Sequence, residues 1–479
     1  MAGEGKTTIA TTVACRLKAA CNLGATFFFR RDIDDRSHPD HVISSIAFQL
    51  SYHQGYIADA VCRVLVAQPD VDRAPTSNQF YDLLLDPLQK CRAQLSKPIV
   101  IVLDAVDQCG SAKERKKLLD VLTRLPDLPP MLKVLISSRP EKDIQDAFEQ
   151  IDPKALIQHD LSTGESRRTV RDDIKKYFAA WGERMERRYP DRCKSNDWKK
   201  SLDVLADRAD GIFIWASTAQ RFIEDEEVYD PKQQLEIVLA GTHNHRNSPS
   251  AVLDALYSSI LSQAYTANAS NDSLKTFKET VGSILTTKYP LSPLALSRLL
   301  HPTLTNPYTA YDKLYGAVSK LRSVLFLPTR KDMHTLPLRF IHQSFNDFLT
   351  SKQRAQQFFL DPLTHHSRMM SACIHILKPR IHDPDFSDAE VKYAFRSWCY
   401  HLNHTQTNDE NSKDIKAASR HNGINFLRDL IRGVAADEQR AVHEILDGGS
   451  VYREIYFAVK KFKVHPFLTN HPEITNHTS

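Results

Sequence analysis

The chain has 479 residues, 42% hydrophobic and 25% charged, which are the proportions of a soluble globular protein and exclude disorder throughout. At roughly 150 residues per domain it has room for about three domains. Lys and Arg (63) exceed Asp and Glu (58) by only 5 with the signs interspersed, so charge does not call for a nucleic acid; runs such as Ile99 to Leu103 are far too short to span a membrane.

The informative residues come first. Met1 to Thr8 read M-A-G-E-G-K-T-T, and Met1 through Thr7 match the last seven positions of the phosphate-binding pattern G-x-x-x-x-G-K-[ST], with the leading glycine missing. Gly3 and Gly5 let backbone N–H groups approach phosphate oxygens, Lys6 reaches the β and γ phosphates, and Thr7 offers a hydroxyl to Mg²⁺. Ile9, Val13 and Leu17 then recur at helical spacing, which predicts a helix whose positive end lies under the phosphates.

Ala25 to Arg31 (A-T-F-F-F-R-R) reads as a strand. Lys97 to Gly110 (K-P-I-V-I-V-L-D-A-V-D-Q-C-G) is a β-branched run suited to a strand buried on both faces of a parallel sheet, with Asp104 at its C-terminal end as a Mg²⁺ ligand. Ser111 to Leu125 predicts an amphipathic helix with Leu118, Leu119, Leu122 and Leu125 inward. Leu132 to Pro140 (L-K-V-L-I-S-S-R-P) predicts a strand that brings Arg139 to the sheet end holding Asp104, where its fixed charge and fork geometry suit the γ phosphate or the acidic cluster. Alternating strands and helices make this an α/β segment.

From Leu161 to about Gln220 the pattern is helical, and its basic runs alternate with acids as solvated faces do. Gly241 to Ser250 is rich in turn formers and reads as a linker, with His243 and His245 as loop residues. Leu253 to Leu349 predicts helices with short strands near Val324 to Pro328 and Leu338 to His342, a winged-helix pattern without a clean basic recognition helix. Amphipathic helices resume beyond Thr350, with Trp398 read as core, and no repeat of 20 to 50 residues is visible.

Together these stretches resemble a fungal NACHT-type P-loop NTPase of the STAND class, of the nephrocystin-3-like N-terminal type. M-A-G-E-G-K-T-T, F-F-F-R-R-D, V-L-D-A-V-D-Q-C and L-I-S-S-R-P-E carry it over residues 1 to about 160. A-D-G-I-F-I-W-A-S-T-A, L-D-A-L-Y, Y-P-L-S-P-L-A-L-S-R-L-L, F-I-H-Q-S-F-N-D-F-L and Y-A-F-R-S-W-C-Y-H-L are similar to later family segments.

The resemblance implies an α/β P-loop domain whose first strand is missing, followed by mostly α-helical domains that include a winged helix. The expected segments are 1–160 nucleotide-binding, 161–245 helical, 250–355 winged-helix-like and 356–479 helical. It implies a cytoplasmic signalling switch, of the kind used in innate immunity or heterokaryon incompatibility, that binds ATP or GTP with Mg²⁺ and engages protein partners or copies of itself, without a nucleic acid or membrane. Carried onto this sequence, Gly3, Gly5, Lys6, Thr7 and Thr8 bind phosphate, Thr7 and Asp104 bind the metal, Asp107 and Arg139 serve catalysis and phosphate sensing, and His342 contacts the β phosphate in the resting state.

Two departures shape the expectation. The family has a glutamate after the second aspartate, whereas this chain has Asp107-Gln108, so the base that polarises water is weakened or lost. The first glycine and the strand before it are also missing, which leaves a non-enzymatic interaction scaffold as the rival reading. A nucleic-acid-acting ATPase is a third reading and conflicts with the balanced charge.

Overall fold

The computed structural model describes residues 5–31, 36–161, 164–193, 196–225, 230–241, 249–265, 271–304, 306–377 and 387–404. Gly3, His243 and His245 lie outside them. Contacts divide the chain into two compact units, Met1–Ser217 and Thr218–Ser479.

In the N-terminal unit the strands β1 (Leu23–Phe28), β2 (Ile99–Asp104) and β3 (Leu132–Ile136) form a parallel sheet in that order. Helix α1 (Lys6–Ala19) precedes β1. Helices α2 (Val42–His53) and α3 (Gly55–Ala67) follow it, then a helical stretch made of α4 (Thr76–Gln79), a π-helical segment Phe80–Leu85 and α5 (Asp86–Lys90). Helix α6 (Ala112–Leu122) joins β2 to β3, and α7 (Lys142–Phe148) follows β3.

Strand alternation makes this a three-layer arrangement. Ile99, Ile101 and Leu103 face a core with Ala25, Phe27, Val42, Leu50, Leu118 and Leu122. Val100 and Val102 face the other way, where Ala10, Ala14 and Leu17 of α1 cover them with Leu135. The central strand is therefore buried on both faces, which is why its sequence is a continuous apolar run rather than an alternating one.

Helix α1 forms as expected, and two element bounds are corrected. The inward face of α1 is carried by Ala10 and Ala14 with Leu17 beside them, while Ile9 is exposed. Small side chains bring the helix close to Val102, so the alanines rather than the bulkier residues mark the contact. Strand β1 begins at Leu23 and ends at Phe28, because the backbone turns after Phe29, where Arg30 N–H donates to the Arg36 carbonyl. Helix α6 ends at Leu122 rather than Leu125; Pro126 disfavours helical backbone before it, and Leu125 packs from a 3-10 turn instead. At its start, Ser111 and Glu114 form a reciprocal capping box, and the Ser111 backbone N–H holds the Glu114 carboxyl below its ordinary range.

The unit continues into α8 (Gly164–Arg188), α9 (Pro190–Cys193) and α10 (Asn196–Ala209), with Trp181 and Trp198 packed ring to ring between α8 and α10, and the division between the units falls within α11 (Phe213–Ile223).

Among its described residues the second unit is helical apart from one hairpin. It contains α12 (Pro231–Gly241), α13 (Pro249–Ala264), α14 (Asn271–Thr286), α15 (Pro293–Leu300) and α16 (Pro307–Val318). Ser292 and Asn306 cap α15 and α16, each followed by a proline in the first turn. The antiparallel pair β4 (Leu325–Phe326) and β5 (Arg339–Phe340) leads into α17 (Gln343–Leu349), α18 (Lys352–Ala355), α19 (Pro362–Leu377) and α20 (Ala389–Asn403). Trp398 is core, as expected. Arg354 makes a two-pronged bond to Asp254, at 2.6 and 2.9 Å, that ties α18 to α13. Among the described residues no helix is long and apolar enough to cross a membrane.

Candidate functional site

Chain direction brings the candidate residues of the N-terminal unit to one end of the sheet. Three residues separate the end of α1 from the start of β1, so the helix must run antiparallel to the strands. Its 14 residues span about 21 Å at 1.5 Å per residue, against about 20 Å for a six-residue strand, so the first turn of α1 lies at the C-terminal end of the strands. Asp104, Ser137 and Arg139 are at that same end.

Gly5 begins the helix with φ +88°, a left-handed conformation that suits glycine, and it gives the first turn no side-chain cap. The N–H groups of a first helical turn have no intrahelical partner, and here no acidic side chain accompanies them. Thr7 and Thr8 are exposed, Lys6 is half-buried, and a Cβ on Gly5 would lie 3.6 Å from the Phe213 ring of α11. This is the local chemistry of an anion-binding helix end.

Asp104 ends β2, is buried, and by strand alternation faces the α1 side with Val100 and Val102. Its Oδ1 accepts a hydrogen bond from Ser137 Oγ, which in turn accepts one from Ala105 N–H at 3.1 Å. Ala105 itself sits at φ +60°, an uncommon backbone for a residue with a Cβ, and turns the chain so that Asp107 comes back toward the end of β3.

Asp107 and Arg139 come together. Arg139 N–H donates to Asp107 Oδ1 at 3.0 Å, and its guanidinium Nε lies 3.3 Å from Oδ2. Two more arginines reach the same residue: Arg115 Nη1 and Arg31 Nη2 donate to the Asp107 carbonyl at 3.0 and 3.2 Å. Arg115 is buried and grips Asp143 of α7 with both prongs, at 2.8 and 3.0 Å. Sequence reasoning did not single out Arg115, because K-E-R-K-K reads as a solvated helix face. Gln108, in the turn after Ala105, contributes an amide where a carboxylate was looked for.

His342 belongs to the second unit, where it caps α17. Its Nδ1 accepts from Ser344 N–H at 3.1 Å and lies 2.7 Å from Ser344 Oγ, which also meets Tyr257 OH at 2.8 Å. A nitrogen that accepts from a backbone N–H carries no proton, so the ring is in the Nε2–H form. Burial raises the Tyr257 hydroxyl well above its ordinary range.

This strand, turn and arginine arrangement falls within a recognised sequence region. Residues 1–139 match the family model for the N-terminal region of nephrocystin 3. The nephrocystin-3-like segment thus runs from the start of α1 through the sheet to Arg139, the residue held by Asp107. No curated protein matches the chain.

Proposed function

We propose that the chain is a NACHT-type nucleotide-operated switch that binds ATP or GTP with Mg²⁺ at the first turn of α1, with weak or absent hydrolysis. The observation that carries this reading is the glycine-started helix end without a side-chain cap at the same end of the parallel sheet as the buried Asp104 carboxylate. Lys6, Thr7, Thr8 and the backbone around Gly5 would hold the phosphates, with Thr7 and Asp104 as metal ligands. The bound cation would neutralise phosphate charge. Gln108 carries no carboxylate, so turnover is slow and the switch acts through binding rather than chemistry.

In the second unit, α15, α16 and the β4–β5 hairpin suit a winged-helix module, and His342, fixed as a neutral donor by its cap, suits recognition of a phosphate oxygen. The output of such a switch is engagement of a protein partner or of further copies of the chain.

Thermal melting tests this reading. Mg-nucleotide at 100 times its Kd stabilises a folded protein by about 2.7 kcal/mol, so the melting temperature should rise with ATP or GTP and not with adenosine. An unchanged melting temperature at millimolar nucleotide would leave the interaction-scaffold reading.

A further inference from the structure

Three arginines converge on Asp107, but only Arg139 bonds its carboxylate. Arg115 and Arg31 hold the Asp107 carbonyl, and Arg115 is itself locked to Asp143 by two short bonds. The Asp107 backbone is therefore the fixed partner. The Arg139–Asp107 pair is more exposed on the arginine side and longer than the Arg115–Asp143 pair. The Arg139 side chain is 24% exposed against 7% for Arg115, and its guanidinium approaches the carboxylate at 3.3 Å against 2.8 Å. Arg139 also meets both oxygens of Asp107, one through its backbone N–H and the other through Nε. The carboxylate thus occupies an arginine that lies at the phosphate end of the sheet.

We infer that Asp107 is a gate on Arg139: the terminal phosphate of a nucleoside triphosphate engages Arg139 only by displacing its guanidinium from the Asp107 carboxylate, so Asp107 sets the preference between triphosphate and diphosphate. This rests on the nucleotide reading above. A phosphate and a carboxylate compete for the same guanidinium fork, and the phosphate carries the greater charge. A diphosphate held at α1 ends short of the contest and leaves the pair closed. Asp107 is then a positioning and specificity residue whose effect passes through Arg139, and removal of its charge favours the triphosphate alone.

The test uses the full chain and measures dissociation constants for Mg-ATPγS and Mg-ADP by calorimetry in wild type, Asp107→Asn and Arg139→Gln. Asp107→Asn keeps an oxygen for the Arg139 N–H and loses the charge. It is expected to tighten ATPγS by roughly fivefold or more, the lower end of typical coupling between two sites, while ADP is unchanged. Arg139→Gln should abolish the preference for ATPγS over ADP, and Asp107→Ser, which also removes the charge, replaces Asp107→Asn if that variant does not fold. Phenylglyoxal modification of Arg139, followed by mass spectrometry without nucleotide, should be faster in Asp107→Asn than in wild type. If wild type binds both nucleotides and loss of the Asp107 charge does not change their ratio, the gate is overturned and the nucleotide site stands. If wild type binds neither nucleotide, the nucleotide reading is overturned and the gate with it.

Discussion

Gln49 of α2 lies against Thr26 of β1 as a peptide group of a neighbouring strand would. Thr26 N–H donates to Gln49 Oε1 and Gln49 Nε2 donates to the Thr26 carbonyl, both at 2.9 Å. The strand's other side pairs with β2, so one carboxamide closes the outer edge of the sheet at its middle. Edge strands with unmet donors and acceptors template association, and a side chain that meets them blocks it.

Gln49→Leu should therefore destabilise the N-terminal unit by about 1–3 kcal/mol, the cost of leaving half-buried backbone groups unpaired. Urea melts measure the loss, and light scattering should show faster aggregation than in wild type. An unchanged midpoint would mean that water replaces the amide without cost.

Arg115→Met keeps most of the side-chain volume but breaks the fork to Asp143 and the bond to the Asp107 carbonyl. Removing one partner of a buried pair costs about 3–5 kcal/mol, and the partial exposure of Asp143 places the expected value at the low end. Arg124→Met, whose pair with Asp127 is exposed, should cost less than about 1 kcal/mol. Equal melting temperatures for the two variants would contradict this ranking.

Gly5→Ala should weaken the first turn of α1, because a left-handed backbone costs a residue with a Cβ about 1–2 kcal/mol. Gly55→Ala is the control: a Cβ there meets nothing within 4 Å, and alanine is the better helix former. Hydrogen exchange in residues 6–10 should quicken in the first variant and stay unchanged in the second.

Stability should fall as pH drops below neutrality because of three buried histidines in α19 and α20. Burial pushes His365 down to about 4 and His366 to about 3, and holds His401 well below its ordinary range, with Arg368 lowering His365, His404 lowering His366, and His366 lowering His401. His366 Nδ1 and His401 Nδ1 lie 3.0 Å apart, His401 Nε2 lies 2.7 Å from Tyr393 OH, and that hydroxyl accepts from Lys288 N–H at 3.1 Å. One proton fills the gap between the two rings, and a second has no acceptor there. The unfolded chain takes up protons at a higher pH than the folded one. The stabilisation is complete above about pH 6.5 and is lost from there toward pH 3–4, at up to about 1.4 kcal/mol per pH unit for each histidine. Urea midpoints of the second unit at pH 7.5, 6.0 and 5.0 measure this, and a flat series would contradict it.

Much of the sheet was legible because burial on both faces leaves a signature. Ile99 to Leu103 is a continuous apolar run that ends at Asp104, and Leu132 to Ile136, apolar except for the exposed Lys133, stops at Ser137; both fold as strands. The pairing of Asp107 with Arg139 was half legible: the sequence put Arg139 at the sheet end holding Asp104, with the γ phosphate or the acidic cluster as its partner, and did not choose between them. Arg115, Gln49 and the His366–His401 pair were illegible for one reason. A polar residue becomes structural only through partners distant in sequence, and no local spacing marks it. The helix α1 was legible from the spacing of Ile9, Val13 and Leu17, but its contact with the sheet through Ala10 and Ala14 was not, because alanines carry little hydrophobic signal.

The central claim is nucleotide binding at the start of α1. It is tested most directly by titrating the purified chain and its Lys6→Ala variant with a fluorescent ATP analogue in the presence of Mg²⁺. The account predicts saturable binding to the wild-type chain that is lost in the variant and competed by unlabelled ATP. Absence of binding to the wild type, or equal binding to both proteins, would contradict it.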